Sequence, residues 1–195
     1  DITVNPNAVT LPYAGNLLTN ALLTFPGTIS GTQAEHYVQH LANSQYTTSD
    51  QYDTDQFDFS GFYSGRLADL ERIILVNTDP ETAGDALQYG LNENQIAVAN
   101  ILQAYWYQHM TDRWGPIPYS AALKGLTGST VLPKFDSQES IYNDLFTRLS
   151  SAVGTITGSS DAELGNYDIL FGGNMNRWKE FANTLRMTMA LRISE

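Results

Sequence analysis

Between Ser44 and Phe59 the sequence runs SQYTTSDQYDTDQFDF, a stretch that interleaves flat apolar rings with short hydrogen-bonding side chains. Tyr46, Tyr52 and Phe57 fall outside any helical stripe, and Gln51, Asp55 and Gln56 lie among them. An aromatic face can cover the apolar face of a pyranose ring while carboxylates and amides bond its hydroxyls. This composition therefore nominates Tyr46, Tyr52, Phe57, Asp55 and Gln56 as a sugar-contact set. The competing reading is that the same rings only anchor the loop to its own scaffold.

Other chemistry-bearing groupings are weaker. Asp50, Asp53, Asp55 and Asp58 could supply oxygens to calcium, but the glycine and terminal glutamate of an EF-hand loop are missing, so a solvated acidic loop is expected. His36 and His40 stand one helical turn apart without the glutamate of a zinc-protease motif or an evident third ligand, and an ordinary helix face is expected. No metal or cofactor is assigned. The chain contains no G-x-S-x-G elbow, phosphate loop or dinucleotide fingerprint, and no pair of carboxylates stands out for glycoside hydrolysis. Binding without catalysis is the expected mode.

Composition narrows the partners. With 21 acidic against 10 basic residues, the net charge of -11 repels phosphate backbones, so nucleic acid is excluded as an expected ligand. Neutral sugars are indifferent to that sign. A content of 42% hydrophobic and 16% charged residues belongs to a folded chain. The absence of cysteine removes disulfides, thiolate metal sites and cysteine nucleophiles.

The elements that must carry the loop read as helices, because apolar residues recur at helical spacing and nowhere alternate for long. Two short helices are predicted over Tyr13 to Thr24 and Ser30 to Asn43, separated by Pro26-Gly27. A third carries Tyr63, Leu67, Leu70 and Ile74 on one face and ends before Thr78-Asp79-Pro80. Asn92 with Gln95 resembles a capping box opening a fourth helix, whose stripe is Ala97, Ile101, Ala104 and Tyr105. Asp136 with Glu139 repeats that device before a fifth helix, which lines up Ile141, Leu145, Leu149, Ala152 and Ile156. A sixth follows Gly172-Gly173-Asn174 and buries Trp178, Phe181, Ala182, Leu185 and Met189. Helices three with four and five with six form hairpins close to the ~34-residue tetratricopeptide period. The fold class expected is all-α, with stacked antiparallel helical hairpins and long loops. The turn Trp114-Gly115-Pro116-Ile117-Pro118-Tyr119 is expected to be a structural corner.

Three blocks of this sequence resemble one family. The first is Ala104-Tyr105-Trp106-Tyr107-Gln108-His109-Met110-Thr111-Asp112-Arg113-Trp114-Gly115-Pro116-Ile117-Pro118-Tyr119-Ser120-Ala121-Ala122-Leu123. The second is Pro133-Lys134-Phe135-Asp136-Ser137-Gln138-Glu139-Ser140-Ile141-Tyr142-Asn143-Asp144-Leu145. The third joins Asp168-Ile169-Leu170-Phe171-Gly172-Gly173-Asn174 to Trp178-Lys179-Glu180-Phe181-Ala182-Asn183-Thr184-Leu185-Arg186. In this order they resemble the SusD/RagB family, and Asn5-Pro6-Asn7 is similar to the stretch that follows the lipidated cysteine there.

The resemblance implies a tetratricopeptide-like protein, tethered by lipid to the Gram-negative outer membrane and exposed at the cell surface. It implies a partner, a SusC-like TonB-dependent transporter, and a glycan ligand held for import. It also implies that residues 1–195 form a single helical domain, the amino-terminal part of a longer protein. Membrane attachment would come only through an amino-terminal lipid that this chain does not carry. The alternative within the resemblance is a helical scaffold seated on the transporter without glycan affinity of its own.

Overall fold

A computed structural model describes residues 13–52, 58–128 and 132–194. The first described elements are α1 (Ala14–Leu23), α2 (Phe25–Ile29) and α3 (Gln33–Tyr37). The expected break at Pro26-Gly27 falls instead after Leu23, and Pro26 sits in the first turn of α2. A proline is accommodated there because the N–H it lacks would have no helical partner. The second predicted helix is correspondingly short, covering Gln33–Tyr37 and not Ser30 to Asn43. None of its residues is buried, so packing does not extend it.

The long helices follow. α4 (Ser60–Phe62) runs through a π-helical turn (Tyr63–Leu67) into α5 (Ala68–Thr78). A short α6 (Ala83–Ala86) leads to α7 (Asn92–Trp114). After the Pro-rich corner come α8 (Gln138–Thr155), α9 (Ala162–Gly165) and α10 (Met175–Arg192). Side-chain pairs fix the directions. Asn77 meets Gln95, and Glu71 meets Gln103, so α5 and α7 are antiparallel. Arg148 meets Gln103 and Tyr142 meets Asp112, so α8 returns along α7. The expected all-α architecture of packed antiparallel helices is present, and no helix among the described residues is long and apolar enough to cross a membrane.

α7 is the hub. The single predicted stripe on this helix undercounts its burial, because Val98, Ala99, Leu102 and Trp106 are buried alongside Ala97, Ile101 and Ala104. A helix with neighbours on several sides hides residues all around its axis. On α8 and α10, by contrast, the predicted stripes are the buried sets, from Ile141 to Ile156 and from Trp178 to Met189, with only Phe181 partly exposed.

The two anticipated capping boxes do not form. Gln95 donates to the carbonyls of Ala86 and Gly90 and so ties α7 to the preceding turn. The cap of α8 is Ser137, which accepts from the Ser140 N–H, while Asp136 turns to the corner. There, two-residue strands β1 (Ile117–Pro118) and β2 (Phe135–Asp136) pair antiparallel, and Asp136 accepts from the Ser120 N–H (2.7 Å) and hydroxyl. Lys134 adds an ion pair at 3.1 Å. Desolvation opposes ionisation of Asp136, but the bonds from Ser120 and Lys134 win and hold its pKa below the usual carboxylate value.

A second joint lies before α10. Asp168 accepts from the N–H groups of Leu170, Phe171 and Gly173 and from the indole of Trp178. Gly173 adopts φ +73°, and a Cβ there would stand 2.1 Å from the Asp161 carbonyl. Only glycine fits that backbone and that contact.

Candidate functional site

The described part of the loop nominated for sugar contact is built on α3. Asp50, at the end of the 3₁₀ turn Thr47–Asp50, accepts from the Asn43 N–H and faces His36 Nδ1, both at 2.7 Å. This clasp holds the turn against α3. Tyr52 follows in a left-handed conformation (φ 55°), donates its hydroxyl to the Tyr37 carbonyl at 2.8 Å, and sets its ring 5.3 Å from that of Tyr37. Tyr52 is 65% exposed and Tyr46 67% exposed. Tyr52 is thus anchored to the scaffold through its hydroxyl and exposed along its ring. Phe57, Asp55 and Gln56 lie outside the described residues, as does Asp53 of the acidic run. Asp58 caps its own chain, accepting from the Ser60 N–H and hydroxyl, and these bonds keep its carboxyl below the ordinary range. Among the described residues no cluster of three or more potential metal ligands occurs.

Beside this loop a cleft of about 910 Å³ opens between the α2–α3 segment, α4 and the carboxy-terminal end of α7. Tyr37, Phe62 and Trp114 line it, together with Arg66, His109 and Arg113. The position of each follows from local structure. The π-helical turn, with Gly65 at φ −113° and ψ −106°, lets Leu67 enter the core while Phe62 and Arg66 meet α7. His109 and Arg113 are one turn apart and share a face of α7. Gly115, at φ +73°, ends that helix and leaves Trp114 at the rim.

The aromatic wall is continuous. Trp114 meets Phe59 and Phe62 edge-on at 5.8 and 5.9 Å, and Phe62 lies 5.9 Å from His109. The Arg66 guanidinium sits between two rings, 4.5 Å from the centre of Phe62 and 4.4 Å from that of Trp106. It donates to the Thr28 hydroxyl at 2.8 Å, which ties α2 to the π-helical turn. Burial lowers the pKa of His109, and the charges of Arg113 and Arg66 add to that while Asp112 opposes it. The imidazole is therefore neutral at pH 7, with one nitrogen free to donate and one to accept.

Chemically the cleft can stack flat rings and bond hydroxyls or anions. Asp58 is its single carboxylate among the described lining residues and remains ionised. Residue types alone singled out Tyr46 and Tyr52 but passed over Phe62, Arg66, His109 and Arg113, and assigned Trp114 to the corner only. A usable signal was present, since Phe62 with Arg66 and His109 with Arg113 repeat an aromatic-to-arginine step of four residues in a chain poor in basic residues.

The fold and this lateral cleft define a helical-hairpin binding architecture. The chain belongs to the SusD-like family, described as starch-binding and associating with the outer membrane, whose sequence pattern matches residues 6–195. Among solved structures it is similar to a chitin-binding protein (27% identity, TM-score 0.71, 93% of this chain and 39% of that one). It is also similar to a SusD-like protein of Bacteroidetes AC2a (27% identity, TM-score 0.72, 93% and 34%). A SusD homologue from Bacteroides fragilis shares the fold at 20% identity (TM-score 0.72, 93% and 36%). The chain spans less than two fifths of the length of these structures. No curated protein matches this sequence.

Proposed function

We propose that this chain is the amino-terminal part of a longer, non-catalytic, surface-exposed lipoprotein that captures oligosaccharide or polysaccharide and hands it to a TonB-dependent transporter of the SusC type. The observation that carries the reading is the cleft: an aromatic wall of Tyr37, Phe62 and Trp114 with polar groups between, and the exposed Tyr52 against Tyr37, in a member of the SusD-like family. The chitin-binding relative supports a polysaccharide as the ligand class. Capture here means stacking and hydrogen bonding, without bond cleavage.

The second reading is a scaffold that seats on the transporter and has no glycan affinity. The exposed apolar side chains Met187, Leu191 and Ile193 on and just past α10 favour it, since they offer a protein-facing surface.

Calorimetric titration of the full-length protein with plant, host and microbial oligosaccharides separates the two. Capture at the cleft predicts binding that weakens by more than about 1 kcal/mol in Trp114→Ala, with a smaller loss in a Tyr46→Ala, Tyr52→Ala double variant. Co-purification with a barrel protein and no affinity for any sugar would select the scaffold. Unchanged binding in both variants would move the site out of this chain.

A further inference from the structure

A second cavity, of about 490 Å³, lies between α5, α7, α8 and the Pro-rich corner and shares no lining residue with the cleft. Gln103 and Tyr107 present one face of α7 to it, turned away from the face of His109 and Arg113. Its polar groups are fixed in place. Gln103, 1% exposed, donates to Glu71 at 2.9 Å and accepts from Arg148 at 2.6 Å. Arg148 stands 3.7 Å from Asp144 and 5.5 Å from the ring centre of Tyr119, whose hydroxyl donates to Asp144. A ligand entering here meets donors and acceptors already oriented, and little ordering remains to be done on binding.

A network that only joined three helices would leave no polar group open, and one is open. Tyr107 is 3% exposed and lines the cavity, yet its hydroxyl bonds no described residue. Its ring is set edge-on against Tyr119 at 4.7 Å. The groups whose charges act on the hydroxyl are Tyr63, Arg148, Tyr119 and Glu71, and the last three line the cavity. Burial pushes its pKa up, so it stays protonated and able to donate. Hiding a hydroxyl without a partner costs free energy, and phenylalanine would fill the same space without that cost. The open donor therefore points to something that enters the cavity.

Charge says what kind of ligand that is. Glu71, Asp136 and Asp144 are balanced by Lys124, Lys134 and Arg148, so the lining carries no net sign in a chain whose net charge is -11. A site with many donors and acceptors and no net charge suits a neutral polyhydroxyl ligand, because each sugar hydroxyl can accept from a phenol or guanidinium and donate to a carboxylate. The volume is that of an ordinary small-ligand pocket.

We infer that this cavity is a second sugar site, taking a short neutral saccharide through the Tyr107 hydroxyl, Glu71 and Arg148. The ligand class rests on the capture reading, while the site uses none of the residues of the cleft.

The test is calorimetric titration of the full-length protein with glucose, galactose, N-acetylglucosamine, maltose and cellobiose, and with glucuronate and glucosamine as charged analogues. In a Trp114→Ala background, which weakens the cleft, at least one neutral sugar should still bind. Adding Tyr107→Phe, which deletes the hydroxyl alone, should lower that affinity at least ~5-fold. Glu71→Gln, which keeps an acceptor oxygen for Gln103, should lower it as well. The melting temperature of Tyr107→Phe should not fall, whereas a purely structural hydroxyl would lower it on removal. Neither charged analogue should bind more tightly than glucose, and tighter binding of either overturns the neutral assignment. Loss of all small-sugar binding in Trp114→Ala alone overturns the second site and leaves capture at the cleft standing. Binding that survives in Trp114→Ala but ignores both Tyr107→Phe and Glu71→Gln overturns it too, and the cavity then holds water only. Polysaccharide bound by the unaltered protein with silence toward every small sugar also removes the second site, and silence toward all sugars removes the capture reading with it.

Discussion

Two regions of this chain are fastened by different physics. The joint before α10 is buried, with Asp168 accepting four hydrogen bonds around the buried Trp178. The α3–loop edge has no buried residue on its helix, and its described fastenings include the Asp50 carboxylate, the Tyr52 hydroxyl and the Tyr37–Tyr52 ring contact. The first region makes the fold, and the second can change without unmaking it. Of the three blocks that resemble the family, the third forms the first region, while the block from Ala104 to Leu123 carries His109, Arg113 and Trp114 of the cleft beside the second.

Substitutions can break that contrast. The largest effect is expected at Asp168→Ala, which orphans three backbone donors and an indole in the core and should cost about 4 kcal/mol by denaturant titration of the full-length protein. Gly173→Ala should cost about 3 kcal/mol through its positive φ and its clash with the Asp161 carbonyl, with little change in sugar affinity until the fold is lost. In the opposite direction, Asp50→Ala should leave global stability within about 0.5 kcal/mol, because it frees an edge that buries little. If the loop contributes to capture, the same variant should lower sugar affinity several-fold in calorimetry.

The smallest effect concerns pH. The folded His109 has a pKa below its unfolded value near 6.5. The unfolded state therefore binds the proton more readily, and this residue's contribution makes stability rise with pH through the window just below that value and fall on acidification. His109→Gln should flatten that part of a stability-versus-pH curve and leave the curve above neutrality unchanged.

Much of the fold was legible because it rests on one-sided burial. The stripes on α8 and α10 face few neighbours, so their periodicity survives in the sequence, and the stop at Thr78-Asp79-Pro80 follows from local chemistry. α7 hid its burial because neighbours surround it and blur the period. The capping boxes misled because Gln95 and Asp136 have the right spacing for a cap but find stronger long-range partners in the Ala86–Gly90 turn and in Ser120. Of the site, the exposed ring of Tyr52 was visible as an aromatic outside any stripe. The cleft was not, since Phe62, Arg66, His109 and Trp114 come together only through the π-helical turn and the packing of α4 on α7. Arg66 in particular looks like any helical arginine until its two ring partners are placed.

Hydrogen exchange of the full-length protein with and without a saturating oligosaccharide tests the central claim most directly. The account predicts slowed exchange at 27–37, 58–66 and 109–115, the three segments that line the cleft, with no change along the buried face of α8. Protection confined to segments outside residues 13–194 would contradict it.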